Sequence, residues 1–126
     1  MRPNRTLLVL AILLAASLVS CGGGAQLSDN LNGTTVQLKK GDPVTVTLRS
    51  LGDGGYSNWV ISAVPDAAVL KSTGTKHQAG GGLSGDFGSD VFSFEAVAAG
   101  QTSIQATATR SFSGESVNWI AYVHVE

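Results

Sequence analysis

The sequence predicts an all-β fold in which two sheets pack face to face as a sandwich. Three observations predict it. From residue 32 onwards, apolar residues alternate with polar ones along short runs, and a period of two is typical of half-buried strands. Glycine, proline and aspartate separate these runs, as they do at turns. No window carries apolar residues at helical spacing, so we predict about seven strands between residues 32 and 126.

The first two strands are predicted on either side of a turn. This turn is formed by residues 40–43, whose sequence Lys-Gly-Asp-Pro is typical of a chain reversal. The second strand covers residues 43–49. The inward-facing residues of the two strands are predicted to be Val36, Leu38, Val44, Val46 and Leu48.

Five further strands are predicted over residues 56–63, 67–72, 90–97, 102–109 and 117–125. Trp59 is expected in the core, and Ala99 with Gly100 forms a tight link between the fifth and sixth strands. The side chains that share a buried face are Phe92, Phe94 and Ala96, then Ile104, Ala106 and Ala108, and finally Trp119, Ala121, Val123 and Val125. Seven short strands with this alternation favour an immunoglobulin-like two-sheet sandwich.

One connection breaks the alternation. Residues 71–90 contain six glycines, three of them consecutive at 80–82, and show no periodicity. Long connections without structure of their own are usually either functional or disordered. The composition of this segment leaves both interpretations open.

The N-terminus is predicted to be a cleavable export signal. Arg2 and Arg5 precede an uncharged apolar run over residues 7–19, which is shorter than the roughly 20 residues of a transmembrane helix. Residues 18–21, Leu-Val-Ser-Cys, match the lipobox of bacterial lipoproteins, in which the cysteine is lipidated and becomes the new N-terminus. We therefore expect Cys21 to carry the lipid.

The predicted organisation is a signal peptide over residues 1–20, the lipidated cysteine and a flexible tether over 21–31, and one domain over 32–126. Small and polar residues dominate the tether, and two or more acyl chains would anchor the protein stably. Cys21 is the only cysteine, so no disulfide is predicted. Because Gly22 and not aspartate follows it, the expected location is the outer membrane or the surface of a bacterial cell rather than the inner membrane.

Charge and side-chain chemistry exclude several functions. Two of the eight basic residues lie in the signal, so six remain against nine acidic residues, and the formal net charge of −3 makes nucleic-acid binding unexpected. His77 and His124 are the only histidines and are predicted to lie in a loop and in the last strand, respectively, so we predict no catalytic residue, no metal and no cofactor. Asp86 and Asp90 are interpreted as solvated turn formers, although cation ligation is a less favoured alternative. The expected protein is a monomer that binds and does not catalyse.

Three framework segments resemble those of a known family. They are residues 41–46 (Gly-Asp-Pro-Val-Thr-Val), residues 65–70 (Pro-Asp-Ala-Ala-Val-Leu) and residues 92–96 (Phe-Ser-Phe-Glu-Ala), the last followed by Ala-Gly at 99–100. They are similar to the second strand with its opening turn, the fourth strand, and the fifth strand with its hairpin in the chagasin-type inhibitors of papain-like cysteine peptidases. The resemblance extends over residues 32–126.

That family presents three loops side by side, with the patterns Asn-Pro-Thr-Thr-Gly-Tyr, Gly-x-Gly-Gly and Arg-Pro-Trp or Arg-Pro-Phe. Residues 51–56, Leu-Gly-Asp-Gly-Gly-Tyr, keep only the final Gly-Tyr, so the threonine that members place deep in the cleft is absent. Residues 85–89, Gly-Asp-Phe-Gly-Ser, and residues 110–112, Arg-Ser-Phe, correspond to the other two loops. Tyr56 and Trp59 stand one residue further apart than in the family. This spacing predicts that their side chains lie on opposite faces of the strand unless a bulge intervenes.

The resemblance implies a reversible, non-covalent inhibitor whose three loops occlude the cleft of a papain-like cysteine peptidase. Glycines allow close backbone approach, and aromatic and arginine side chains are frequent interface anchors. The implied peptidase-binding residues are Asp53, Gly54, Gly55, Tyr56, Gly85, Phe87, Gly88, Ser89, Arg110, Ser111 and Phe112. The alternative is a non-inhibitory immunoglobulin-like surface module for adhesion or an envelope complex, although such modules usually occur in tandem and this sequence holds one copy.

Overall fold

The computed structural model describes residues 18–20, 24–81 and 86–126. Nine strands account for most of these residues, together with short 3₁₀ turns at Asp29–Leu31 and Gly52–Gly54. The strands are β1 (Leu18–Ser20), β2 (Ala25–Ser28), β3 (Thr35–Leu38), β4 (Pro43–Arg49), β5 (Val60–Ala63), β6 (Leu70–Gln78), β7 (Ser89–Ala96), β8 (Gly100–Thr109) and β9 (Ser116–Val125). No helix in the described ranges has the length and apolar character needed to cross a membrane.

The strands form two sheets that pack face to face. One sheet has the order β1-β3-β9-β8-β5 and the other the order β2-β4-β7-β6. The pairs β1–β3, β3–β9 and β2–β4 are parallel, and the remaining pairs are antiparallel. The predicted all-β, immunoglobulin-like sandwich is therefore confirmed.

The core lies between the sheets and consists of the alternating residues that the sequence predicts. Across the β4–β7 pair, Val44 lies opposite Phe94 and Val46 opposite Phe92, and all four side chains are buried. The other members of the core also follow the period of two along their strands. They include Val36, Leu38, Leu48, Ala96, Ile104, Ala106, Ala108, Ala121, Val123 and Val125.

Both tryptophans belong to this core, as predicted for Trp59. Their indole N–H groups donate to backbone carbonyls, Trp59 Nε1 to Arg49 O at 2.9 Å and Trp119 Nε1 to Ser28 O at 3.2 Å. A buried indole needs such a partner because its single donor would otherwise lose its hydrogen bond to water.

The segment predicted to be a flexible tether contributes to the core, so that prediction is wrong for its described part. Ala25–Ser28 form β2, which pairs with β4. Ala25 and Leu27 are 5% and 2% exposed. Two apolar residues in a polar, glycine-rich context are too few to reveal a strand, but the pairing with β4 satisfies its backbone and buries both. The other residues of the predicted signal peptide, residues 1–17, and Cys21 lie outside the described residues.

The long connection is also shorter than predicted. β6 extends to Gln78, so only residues 79–88 link it to β7, while the start of β5 moves from residue 56 to Val60. β6 is an edge strand in which only Leu70 is buried, and an exposed edge needs no alternation of apolar residues. A register shift between Ser72 and Gly74 further disturbs its period.

The strands run between two poles of the sandwich. At the first, here called the loop pole, β4 ends at Arg49, β7 begins at Ser89 and β8 ends at Thr109. At the second, here called the far pole, β4 begins at Pro43 and Gly24 lies against that proline. Because β2 is parallel to β4, it leads from the far pole towards the loop pole.

Candidate functional site

Three connections meet at the loop pole. Loop 1 is residues 50–56, after β4. Loop 2 is residues 79–88, between β6 and β7, and loop 3 is residues 110–115, between β8 and β9. Residues 82–85 of loop 2, including the predicted contact residue Gly85, lie outside the described residues.

Loop 1 is built on a short 3₁₀ turn that ends at a glycine. The turn covers Gly52–Gly54, and Gly55 follows with φ of +85°, donating its N–H to Gly52 O at 3.0 Å. A left-handed φ costs an L-residue with a Cβ roughly 1–2 kcal/mol, so glycine is favoured at position 55. Asp53 is exposed at the tip of the turn.

A one-residue bulge takes Tyr56 and Trp59 to the core together. Tyr56 forms an isolated bridge with Arg110, and the next paired residues are Val60 and Thr107. Between these two pairs the chain advances by four residues on one side and three on the other, which leaves one residue extra. Tyr56 packs against the core and Trp59 lies within it. The bulge therefore absorbs the additional residue that the sequence shows relative to the family spacing.

Asp86 organises the described part of loop 2. Its Oδ2 accepts the Gly81 N–H at 2.6 Å and its Oδ1 accepts the Gly88 N–H at 3.1 Å. These two hydrogen bonds, with a smaller contribution from the positive charge of Arg49, hold the pKa of the Asp86 carboxyl below its ordinary value. Asp86 is exposed, which agrees with its interpretation as a solvated turn former.

Loop 2 contacts loop 1 through backbone and through one aromatic ring. The Ser50 N–H donates to Gly88 O at 2.8 Å. The Phe87 ring covers Gly52 so closely that a Cβ at position 52 would lie 2.8 Å from Phe87 Cγ. Gly88 is buried against the backbone of residues 78–80, whereas Phe87 is 48% exposed. The missing side chain at position 52 therefore lets the two loops meet.

Loop 3 is a turn closed at its base. The Arg110 N–H donates to Glu115 O at 2.7 Å, and the Gly114 N–H donates to Arg110 O at 2.8 Å. Phe112 projects from this turn onto loop 1, because a Cβ at Gly55 would lie 2.7 Å from Phe112 Cε2. Phe112 is nevertheless 76% exposed. Loop 3 thus covers one end of the 3₁₀ turn, while Phe87 covers the other.

The side chain of Arg110 also links loop 3 to loop 1. Its Nε–H donates to Gly54 O at 2.9 Å, and its Nη1 lies 2.6 Å from Glu115 Oε1. The guanidinium carbon is 4.7 Å from the centre of the Tyr56 ring and 5.2 Å from that of Phe112, within the range of cation–π attraction. Glu115 is a residue that the sequence analysis missed, since none of the three family patterns contains it.

The three loops consequently form one continuous edge, which we call the loop edge. Loop 1 is its centre, where the exposed ring of Phe87 lies against Gly52 and the exposed ring of Phe112 lies against Gly55. Large exposed aromatic side chains that lie close together are a common feature of protein-binding surfaces. The loop edge combines such rings with the backbone of loop 1, which carries few side chains because positions 52, 54 and 55 are glycine.

A buried carboxylate supports the loop edge from below. Asp90 is 4% exposed, its Oδ2 accepts the Trp59 N–H at 2.9 Å, and its Oδ1 lies 2.9 Å from His77 Nδ1. Its interpretation as a solvated turn former is therefore wrong, and His77 lies in β6, not in a loop. Burial of this carboxylate is tolerated because both oxygens have hydrogen-bond partners. Within the described residues, no group of three or more histidine, cysteine or acidic side chains could hold a metal ion.

The structure brings the described members of the predicted contact set to the loop pole. They differ in exposure. Asp53, Gly55, Phe87, Ser111 and Phe112 are exposed on the loop edge. Gly54, Tyr56 and Arg110 are half-buried, Ser89 is half-buried at the start of β7, and Gly88 is buried.

Comparison with known proteins points to one family. The family model described as "Chagasin family peptidase inhibitor I42" matches residues 37–125. Comparison with curated proteins gives no match.

Three solved structures share the fold at low sequence identity. Amebosin has 22% identity and a TM-score of 0.63, with 83% of this chain and 100% of that chain covered. The cysteine protease inhibitor EhICP2 from Entamoeba histolytica has 13% identity and a TM-score of 0.63, with 86% and 97% covered. PbICP-C, solved in complex with falcipain-2, has 17% identity and a TM-score of 0.59, with 87% and 99% covered.

Proposed function

Because the chain belongs to the chagasin family of peptidase inhibitors, we propose that it inhibits papain-like cysteine peptidases reversibly, with its three loops blocking the substrate cleft. The observation that carries this proposal is the meeting of loops 1, 2 and 3 in one exposed edge. A loop at the far pole would break that edge. The descriptions of EhICP2 as a cysteine protease inhibitor and of PbICP-C in complex with falcipain-2 support this class of target.

The loop edge would act as a wedge and not as a substrate. Loop 1 is folded into a 3₁₀ turn, in which the Gly54 N–H donates to Leu51 O and the Gly55 N–H to Gly52 O, each at 3.0 Å. A substrate strand is extended, so this turn does not present a peptide bond in the form that a cleft cleaves. Inhibition then needs no covalent step, and the peptidase thiol stays unreacted. An inhibitor interface of this type buries about 800 Å² on each partner.

Inhibition assays on papain and related peptidases test the proposal. Residues 22–126, which contain the whole described core cluster, should inhibit in proportion to dose, and activity should return on dilution. Phe87→Ala and Phe112→Ala should each weaken inhibition about tenfold or more, as expected for aromatic anchors. Tyr122→Ala is the matched control, since Tyr122 is 47% exposed but lies on β9, outside the loop edge. No inhibition of any such peptidase at micromolar concentration would leave only a non-inhibitory surface module.

We further propose that Cys21 carries a lipid and that the loop edge points away from the membrane that the lipid enters. Two features of the fold support this. Among the residues whose burial the structure describes, the first member of the core cluster is Ala25. β1 lies at the edge of its sheet beside β3, so cleavage before Cys21 would leave this described core and the strand pairs from β2 onwards intact. Gly24 lies at the far pole, opposite the loop edge.

The short link between lipid and fold limits the reach of the inhibitor. Cys21 and Ala25, the first residue of β2, are four residues apart in the sequence, so the link between them spans at most about 14 Å. The seven residues of β4 between the poles add roughly 23 Å. The target that fits this geometry is a peptidase in the aqueous compartment beside the membrane, with its cleft well clear of the lipid surface.

Labelling with radioactive palmitate tests the anchor. The full chain expressed in a bacterium should incorporate the label and fractionate with membranes. Cys21→Ala should lose the label, whereas Ser17→Ala, a change in the signal that keeps the cysteine, should retain it. Membrane fractionation without label, or label in the Cys21→Ala variant, would contradict lipidation at this residue.

A further inference from the structure

We propose that Arg110 and Glu115 form a clamp that positions loop 1 and Phe112 in the free protein, and that Arg110 does not serve as a direct contact for the partner. The role of the positioned loops in binding rests on the proposed inhibitory function. The clamp itself is a property of the uncomplexed chain and can be measured without any peptidase.

The contacts of Arg110 are directed into its own protein. Nε–H donates to Gly54 O, Nη1 is paired with Glu115, and the guanidinium lies against the rings of Tyr56 and Phe112. The Arg110 side chain is 28% exposed. A guanidinium held in this way by two polar partners and two rings has little freedom to turn towards a partner.

The hydrogen bond to Gly54 fixes the part of loop 1 on which Phe112 rests. Gly54 ends the 3₁₀ turn, and Gly55, the next residue, lies beneath the Phe112 ring. Arg110 therefore holds both the backbone of the turn and the aromatic ring that covers it. Bulk alone at position 110 would not reproduce this, because the link requires a donor that reaches Gly54 O.

Glu115 has two links to Arg110, and they act together. Its backbone O accepts the Arg110 N–H at 2.7 Å, which closes loop 3, and its carboxylate pairs with Nη1 at 2.6 Å. One residue thus sets both the base of loop 3 and the direction of the guanidinium. Lysine at position 110 could satisfy one partner but not both, because its ammonium is a single point charge without the planar fork of arginine.

Loss of the clamp should reduce the fraction of molecules whose loops are ready to bind. The apparent affinity then falls in proportion to that fraction, and the fall occurs in the association rate. Loss of a direct contact has a different kinetic signature, since it mainly raises the dissociation rate. The two roles can therefore be separated.

The test uses the full chain in mild detergent and three variants, Arg110→Lys, Arg110→Ala and Glu115→Ala. Hydrogen exchange at the Gly54, Gly55 and Tyr56 amides is measured on the free protein, and association and dissociation rates are measured with papain. Lys40→Ala is the control, because it removes one positive charge from an exposed turn at the far pole.

We expect exchange at these amides to accelerate about tenfold or more in Arg110→Ala, the size that loss of one charge-assisted hydrogen bond gives. Arg110→Lys and Glu115→Ala should accelerate exchange less, about two- to fivefold, because lysine at position 110 keeps one partner and because Glu115 is 61% exposed, so that its ion pair is screened. The association rate should fall by a similar factor with little change in the dissociation rate, and the control should match the unmodified chain. Unchanged exchange, or a change confined to the dissociation rate, would overturn the clamp. If the unmodified chain does not bind papain, the inhibitory proposal fails for this enzyme, but hydrogen exchange still tests the clamp. Faster exchange in the variants would then support the clamp, and unchanged exchange would overturn it.

Discussion

Replacing Asp90 by alanine should lower the free energy of unfolding by about 3 kcal/mol, although Asp90 lies outside the loop edge. The side chain joins β7 to β6 through His77 and to the chain entering β5 through the Trp59 N–H. Its removal leaves the Trp59 N–H without a partner at a residue that is 6% exposed. The loop edge then loses a support common to loops 1 and 2.

The magnitude follows from the two hydrogen bonds taken separately. A hydrogen bond to a charged group contributes about 1.5–3 kcal/mol, and the bond to Trp59 is fully buried, so it belongs at the upper end. The His77 side chain is 39% exposed, so its interaction is screened and contributes less than about 1 kcal/mol. Relief from burying the carboxylate offsets a part of this sum. Asp90→Asn keeps an oxygen that can accept the Trp59 N–H, so it should lower the free energy of unfolding by only about 1 kcal/mol.

Urea unfolding followed by tryptophan fluorescence measures these differences, because both tryptophans are buried. The expected order of stability is unmodified chain, His77→Ala, Asp90→Asn, then Asp90→Ala. The loss for Asp90→Ala should lower the melting temperature by roughly 15 °C. A His77→Ala variant as unstable as Asp90→Ala, or an Asp90→Ala loss below about 1 kcal/mol, would refute the assignment of the stabilisation to Trp59.

Two further predictions concern the loops. Gly55→Ala and Gly33→Ala should each lower the free energy of unfolding by about 1–2 kcal/mol, since both residues have φ of +85°. Only Gly55→Ala should weaken inhibition, because a Cβ at Gly55 meets Phe112 while one at Gly33 has nothing within 4 Å. Equal inhibition by the two variants would contradict the position of Phe112. Since its hydrogen bonds hold the folded pKa of Asp86 below the ordinary value of an aspartate, its hydrogen bond to Gly81 should be present at neutral pH and be lost as the pH falls through the folded pKa. The Gly81 amide proton followed by NMR should titrate at a lower pH in the folded chain than the aspartate of an unstructured peptide with the same local sequence, and an equal or higher midpoint would contradict the hydrogen bond.

The strands that face the core on one side could be predicted from sequence, because burial of one face imposes a period of two. β4, β7, β8 and β9 are found within two residues of their predicted bounds. β2 and β6 could not be recognised for opposite reasons. β2 has only two inward residues in a polar segment, while β6 is an edge strand whose exposed side chains have no burial to set a pattern.

The candidate site could be predicted as three segments but not as a set of interactions. The family patterns located loops 1, 2 and 3, and they meet as that resemblance implied. The interactions that hold them depend on distant residues, such as Arg110 with Gly54 and Asp90 with Trp59, and a single sequence carries no signal for such pairs. In particular, an aspartate with a buried carboxylate cannot be distinguished in the sequence from one that is solvated. Its partners become visible only when the strands are placed.

Binding to papain in three chemical states of its active-site thiol would test the central claim most directly. The claim is that the loop edge fills the cleft without reacting with the thiol, so papain with a free thiol and papain with a small methylthio cap should both bind residues 22–126. Papain whose cleft is occupied by a covalently attached peptidyl inhibitor should not bind. Equal binding to all three states, or binding that requires the free thiol, would contradict the account.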